Sequence, residues 1–340
     1  LSLHELITKR IQQSGGAISV AEYMQLCLAH PDYGYYMCGD PLGEKGDFTT
    51  APEISQLFGE MLGAWLAHQW QVQNSPEHVT LVELGPGRGT LAADMLRATR
   101  HVSGFHAALD IHLVETSPSL TSIQQQRLKD SHPRISWHAA LNLPPKPLLL
   151  VANEFFDALP IRQFAADGTE RMVVLADDVL AFSFPDEAVA REVCEPGQEI
   201  AAAVARHIAQ FGGAALFIDY GYVGGSAGDT LQALKAHRYH RVLCDPGQAD
   251  VTAHVDFAVL GEITQKNGAK LAGPISQGQF LTQMGIGLRL RQLGEKSDEK
   301  QQKTLISGVE RLVSPQEMGE LFKIMAILPE NYQKTEGFDV

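Results

Sequence analysis

The spacing of apolar residues along the chain changes character near residue 80. Upstream of that point they recur at helical intervals. Leu3, Leu6, Ile7 and Ile11 predict an N-terminal helix, Ser19 is placed to cap a second over 20–29, and residues 53–71 carry a third apolar stripe. Downstream, short apolar runs of strand length occur at 80–84, 110–114, 148–152 and 214–218. Helical stretches at 90–98 and 118–129 separate the first three, with another short strand at 134–138. Strand, helix, strand in succession predicts right-handed parallel crossovers and a doubly wound α/β sheet. Residues 164–184 break this rhythm. Asp167-Gly168 and Asp177-Asp178 sit between β-prone pieces, which predicts an antiparallel extension inserted into the sheet domain. A glycine-rich loop at 221–228, a helix over 255–266, a mostly helical stretch over 277–317 and a last strand over 320–328 complete the pattern.

The organisation expected from this pattern is a helical segment over residues 1–75 and a sheet-based core over 76–340. The core carries a β insertion near 161–185 and a helical insertion near 276–318. Residues 31–52 form a long loop with Gly34, Gly39, Gly43, Gly46 and three tyrosines. A loop of that length without secondary structure is a candidate lid over a site.

Composition narrows the class. Of 340 residues, 44% are hydrophobic and 20% charged, which excludes a disordered chain or a coiled coil. The net charge of −13 is a poor match to a phosphate backbone and argues against nucleic acid as a partner, while suiting a small molecule or a basic protein. Cys27, Cys38, Cys194 and Cys244 are far apart and form no metal-ligand or disulfide pattern, so no metal and a reducing compartment are expected. No apolar run is long enough for insertion into a membrane. Residues 1–13 read as an amphipathic helix, not a signal peptide, and the chain does not begin with Met. The expected location is the bacterial cytoplasm, or the mitochondrial matrix if a leader is missing. The sequence leaves an oligomer open.

The sharpest chemical signal is Glu83-Leu84-Gly85-Pro86-Gly87-Arg88-Gly89-Thr90, at the turn from the first sheet strand into a helix. Glycines there let backbone N–H groups face an anionic ligand group at a helix N-terminus. The spacing departs from the dinucleotide fingerprint, because Thr90 stands where its last glycine belongs. Glu83 is a second departure, since a carboxylate would repel a pyrophosphate but suits a ligand amino group. Glu115 ends the next strand, where a carboxylate can accept both hydroxyls of a ribose. An amino-acid end, a ribose and no pyrophosphate describe S-adenosyl-L-methionine. A glycine turn needed only for packing, and NAD, are the two alternatives.

After the fourth strand comes Asn153-Glu154-Phe155-Phe156-Asp157, at the strand end where open α/β sheets bind ligands. Asn153, Glu154 and Asp157 would face the reactive end of the cofactor, with Phe155 and Phe156 as apolar walls. Two carboxylates there could hold a guanidinium, orient one nitrogen and accept its proton. The purely structural alternative has Glu154 capping a helix and Asp157 pairing with Arg162. Asp47 and Glu53 could reach the cofactor or serve only as first-turn acids. Asp219 and Tyr220 could line the pocket or only make structural hydrogen bonds.

These motifs, with 46–55, 228–232, His254 and Asp256 within 252–257, and 318–323, resemble the MidA-type family of S-adenosylmethionine-dependent methyltransferases over nearly the whole chain. The resemblance implies a class I methyltransferase (Rossmann-like) sheet, with cofactor over Gly85, Gly87, Gly89 and Glu115 and residues 46–55 closing over it. It implies a protein-arginine methyltransferase whose partner is a respiratory complex I subunit, with symmetric dimethylation as its outcome. It places Glu154 and Asp157 on the substrate side and brings His254, with Asp256, into consideration as an orienting catalytic group. An assembly chaperone with a silent cofactor site is the alternative from another class.

Overall fold

The computed structural model describes residues 2–38, 50–225, 228–332 and 335–338. Its centre is an eight-stranded sheet. Seven strands form the continuous path: β1 (Val79–Leu84), β2 (Leu109–Val114), β3 (Ile135–His138), β4 (Leu148–Asn153), β5 (Gly213–Tyr222), β6 (Ala269–Ser276) and β7 (Phe322–Pro329). Their spatial order is 3-2-1-4-5-7-6. The first five run parallel to one another, and β7 runs antiparallel between β5 and β6. The eighth strand, Val255–Asp256, pairs with the end of β5.

The order reverses between β1 and β4, and a crevice opens at the carboxyl ends of parallel strands where that happens. Both faces of the sheet are covered, which is why β4 is a continuous apolar run. Leu149 and Val151 face a core with the helices Gln56–Val72 and Thr90–Thr99. Leu148, Leu150 and Ala152 face the opposite core with Glu195–Phe211 and Phe257–Lys266.

The sheet agrees with the class expected from the sequence, and several elements differ in detail. The helix expected over 53–71 is divided at Ser55, whose extended backbone separates Ala51–Ile54 from Gln56–Val72. The pieces within 164–184 do not extend the central sheet. Arg162–Ala165 pairs with Val189–Val193, while Met172–Ala176 lies between Ala17–Ser19 and Val179–Phe182. A third small sheet joins Gln232–Lys235 to Arg238–His240 and Asp250–Thr252.

These small sheets separate from the centre because they share another apolar core with the first two helices, Leu3–Gln13 and Val20–Ala29. Ile7, Ile11, Tyr23, Met24, Ile161, Val173, Leu180 and Val251 meet there. The fully buried Arg171 guanidinium ties this lobe together. It bonds Asp229 at 2.7 Å and the Phe184 carbonyl at 3.0 Å, and its guanidinium carbon lies 3.8 Å from the centre of the Phe182 ring. The first quarter of the chain is thus shared between two cores: residues 3–29 belong to the lobe and 51–72 to the central sheet.

Gly213 starts β5 at a φ of +109°, and a Cβ there would lie 1.9 Å from the Leu148 carbonyl oxygen. Gly213→Val is expected to cost at least about 3 kcal/mol. Gly168→Ala, at a positive-φ turn with nothing within 4 Å, is expected to cost only about 1 kcal/mol. Thermal unfolding of the two variants checks the pair.

Candidate active site

The sheet crevice opens into a cavity of about 450 Å³. One wall is the turn from β1 into the helix Thr90–Thr99, where Gly85, Gly87 and Gly89 have φ of +61°, +53° and +75°. Residues with a Cβ rarely adopt such angles. Gly85 is also confined by the Phe155 ring, which a Cβ would approach to 2.9 Å. Pro86 and Arg88 line the cavity with Gly85 and Gly87, whereas Gly89 lies behind them, where a Cβ would meet Gln124 at 3.4 Å and Leu128 at 3.5 Å.

Glu83 ends its strand at the cavity wall, 3% exposed, and its Oε2 is buried without a hydrogen-bond partner. Burial, reinforced by Glu115, pushes its carboxyl up to about 8. A buried acceptor of this kind is matched by a ligand ammonium, which would restore its charge.

Glu115, at the end of β2, is better supported. Its oxygens accept the Ser117 N–H at 2.8 Å and the Gln124 side-chain amide at 3.1 Å. Burial raises its pKa while those bonds lower it. Gln124 is fully buried and also donates to the Gly87 carbonyl at 2.7 Å, while accepting the Trp137 indole N–H at 2.9 Å. It therefore fixes the glycine turn relative to the second acid. The sequence reading missed Gln124, because a glutamine on an ordinary amphipathic helix carries no local signal of this task.

The acidic turn after β4 is organised from β5. Asp219 is fully buried, and its Oδ2 accepts the N–H groups of Phe155, Phe156 and Asp157 at 3.1, 2.9 and 3.3 Å. Its Oδ1 takes the Tyr220 N–H at 3.0 Å. Its part is hydrogen bonding within the fold. Burial and the neighbouring carboxylates of Asp157 and Glu154 drive its pKa up, against those N–H bonds. Tightly gathered by Asp219, the turn places Glu154 at a φ of +50°, a left-handed conformation that non-glycine residues avoid.

Glu154 Oε1 accepts the Ala51 N–H at 3.0 Å and the Asn153 amide at 3.2 Å. It caps the short helix Ala51–Ile54 and still lines the cavity. Burial pushes its carboxyl up to about 7 and that of Asp157 up to about 6. Asn153 Oδ1 and Asp157 Oδ1 are buried without partners. Asp157 does not pair with Arg162, which binds Glu170 and Glu195 instead.

The remaining candidates divide. Glu53 lines the cavity, accepts the Thr90 hydroxyl and lies 3.9 Å from Arg88, so it ties its helix to the glycine turn. Asp47 lies outside the described residues, as do 46–49 of the expected closing segment. His254 lies away from the main cavity. It lines a small adjacent pocket of about 40 Å³, its ring set edge-on to Tyr220 at 5.3 Å, and burial lowers its pKa. Asp256 caps the helix Phe257–Lys266 by accepting the Ala258 and Val259 N–H groups. Phe155 lines the main cavity, whereas Phe156 turns to the opposite side of the turn and packs on Phe217 at 4.6 Å.

No group of three or more metal-ligating side chains occurs among the described residues, and no helix among them is long and apolar enough to cross a membrane.

Comparison with known proteins adds a class to this geometry. The family described as "Putative S-adenosyl-L-methionine-dependent methyltransferase" matches residues 61–190 and 180–275. Protein arginine methyltransferase NDUFAF7, mitochondrial, of Xenopus laevis is 40% identical over 370 residues, covering 95% of this chain and 83% of that protein. The Homo sapiens protein of the same name is 39% identical over 368 residues, covering 96% and 82%. A Burkholderia thailandensis protein solved with S-adenosyl-homocysteine bound superposes with a TM-score of 0.82 at 31% identity, covering 99% of this chain and 92% of that one.

The glycine turn and Glu83 generate two predictions. Gly85→Val is expected to weaken S-adenosyl-homocysteine binding at least about tenfold by calorimetry, as the added side chain meets Phe155. Glu83 holds a proton in the folded state between its ordinary 4.5 and about 8, where the unfolded chain has released it. Its contribution is therefore fully present below 4.5 and lost as pH rises through 8, roughly 4–5 kcal/mol in all. Glu83→Gln should melt like the parent near pH 5 and roughly 5 °C or more above it at pH 9. Parallel melting curves at both pH values would refute the assignment.

Proposed function

The chain belongs to the MidA-type family of S-adenosyl-L-methionine-dependent methyltransferases, and from that premise we propose that its acceptor is the guanidinium of a protein arginine, carried by a subunit of respiratory complex I. The observation that carries this reading is the charge of the cavity. Glu53, Glu83, Glu115, Glu154, Asp157 and Asp250 line it, against Arg88 as the cationic lining residue among those described. Such a surplus in a partly buried space favours cations, and guanidinium keeps its charge at any physiological pH. The names of the curated relatives support the same acceptor.

S-adenosylmethionine supplies, when bound, a methyl group on a sulfonium, which makes the acceptor nitrogen's orientation and proton the protein's task. Glu83, Glu115 and the glycine turn would hold the cofactor. Glu154 and Asp157 would accept the guanidinium N–H groups and set one nitrogen towards the methyl. Binding the cation lowers both carboxyl pKa values, so their protons leave as the substrate enters. After transfer the methylated nitrogen must lose a proton, and a carboxylate that gave up its own proton when the substrate entered is placed to take it.

The nicotinamide alternative does not survive family membership. Against the silent-site chaperone stand two costs built into the fold, the unpartnered Glu83 carboxylate and the left-handed Glu154. Both work against stability, and ligand binding and turnover supply a reason to keep them. The four cysteines are free, which supports a reducing compartment: the bacterial cytoplasm, or the mitochondrial matrix that the relatives' names suggest.

Glu154→Gln keeps an oxygen for the Ala51 N–H and is expected to retain S-adenosyl-homocysteine affinity while lowering kcat about 100-fold or more. In the parent, kcat/KM should rise with pH through an acid limb near 7, as Glu154 loses its proton. Mass spectrometry of complex I subunits incubated with each protein supplies the readout, with symmetric dimethylarginine as the expected product. Unchanged turnover by Glu154→Gln would remove it from the mechanism, and absence of arginine methylation by the parent would remove the acceptor.

A further inference from the structure

Tyr36 and Asp250 also line the cavity, and neither belongs to the turns that build the sheet side of the site. Both come from the lobe. Tyr36 follows the helix Val20–Ala29, and Asp250 opens the strand Asp250–Thr252. They are separated by 214 positions, yet the Tyr36 hydroxyl donates towards both Asp250 oxygens, at 2.9 and 3.0 Å. Asp250 is 5% exposed.

The arrangement is joined to the acidic turn. The Ala253 N–H, just beyond the Asp250 strand, donates to the Asp157 carbonyl at 3.0 Å. Asp157 and Asp250 both raise the Tyr36 pKa, after burial itself, which puts the three groups within electrostatic reach of one another. Asp157 Oδ1, in a residue only 6% exposed, is buried without a partner in the same cavity. A phenol is a neutral donor. It fixes the direction of the Asp250 carboxylate without cancelling its charge.

The two walls therefore differ in what they can do. The sheet wall carries the glycine turn and the Glu154–Asp157 pair, close to where the cofactor is held. The lobe wall, with Gln25, Leu28 and Ala29 beside Tyr36 and Asp250, contributes none of those groups. A guanidinium presents five N–H donors, more than two carboxylates at one edge can accept with good geometry.

We infer that Asp250, oriented by Tyr36, is a specificity-determining residue that binds the acceptor's cation from the lobe side of the cavity. It acts in recognition of the charge, whereas Glu154 and Asp157 act on the nitrogen that receives the methyl. The assignment rests on the arginine reading above and goes beyond it by giving the lobe a part in substrate choice. A site that pairs a charge and its N–H groups discriminates strongly against a neutral isostere, which brings no charge to the carboxylates.

The test compares a peptide carrying one arginine with the same peptide carrying citrulline, the uncharged isostere, on the full chain saturated with S-adenosyl-homocysteine. Calorimetry gives the affinities, and steady-state methylation of the arginine peptide gives KM and kcat. The parent should prefer arginine. Asp250→Asn should weaken arginine binding and raise KM by about tenfold or more, with kcat, citrulline affinity and S-adenosyl-homocysteine affinity each within about 1.5-fold of the parent. Asp250→Glu should recover part of the loss, and Tyr36→Phe should raise KM about threefold, in the same direction. Should Asp250→Asn not fold, the Tyr36→Phe shift decides alone. Parental arginine affinity in Asp250→Asn, or an equal loss for both peptides and the cofactor product, would overturn the inference and leave the arginine reading standing. A parent protein that binds both peptides alike would overturn that reading, and this inference with it.

Discussion

Three consecutive backbone N–H groups, those of Phe155, Phe156 and Asp157, converge on one oxygen of the buried Asp219. Backbone donors withdrawn from water must find acceptors, and here one carboxylate within β5 serves the whole turn that leaves β4. The rest of the site depends on that convergence. It curls the chain enough to hold Glu154 in the left-handed region, sets Phe155 against Gly85 and directs Phe156 into the opposite core. Glu154 in turn accepts the first N–H of Ala51–Ile54, so the position of the N-terminal segment over the sheet is referred back to the same carboxylate. Parallel neighbours β4 and β5 make this possible, since Asn153, the last residue of β4, pairs with Ile218, the residue before Asp219.

The second governing fact is a surplus of negative charge that the fold leaves incompletely compensated. Glu83, Glu154 and Asp157 all have carboxyl pKa values raised by burial, so the folded protein holds protons to higher pH than the unfolded chain does. Stability and ligand binding are thereby opposed. The groups that weaken the empty protein as pH rises are those whose charge a cationic cofactor and a cationic acceptor would balance. Pre-organised acceptors in a space of low dielectric interact with such ligands far more strongly than the same groups would in water.

Two hydrophobic cores give the cavity its walls. The central sheet supplies the glycine turn and the acids at its strand ends. The lobe, assembled from the first two helices and the inserted strands around Arg171, supplies Gln25, Tyr36 and Asp250. The insertions are thus more than decoration on a common sheet, because they form the side of the pocket that the sheet does not reach. Helix Gln56–Val72 belongs to the sheet side, and Glu53 connects its approach to Thr90 and Arg88.

Local information was sufficient wherever the signal was local. Apolar runs such as 148–152 revealed the buried strands, because a strand covered on both faces must be apolar throughout. Glycines at a strand-to-helix turn, with Glu83 and Glu115 near the ends of successive strands, marked one wall of the cavity because strand ends determine where their last side chains lie. Strand Ala269–Ser276 escaped notice because Gly273 and Pro274 interrupt it, and a bulge between Ala272 and Ile275 accommodates them at the sheet edge. Residues whose task depends on a distant partner carried no such mark. Gln124 is an unremarked helix residue until it meets Gly87, Glu115 and Trp137, and Asp219 is one of several strand-end acids until three N–H groups turn towards it. His254 stood beside an acid in the sequence, yet tertiary packing set its ring against Tyr220, outside the main cavity. Tyr36 and Asp250 meet only because the lobe folds as a second core. The chain by itself determined the sheet, the glycine turn and the acidic motif, since each is built from neighbours in sequence. Which acids share one cavity, and which side chains hold them there, was decided by the packing of segments as many as 214 positions apart.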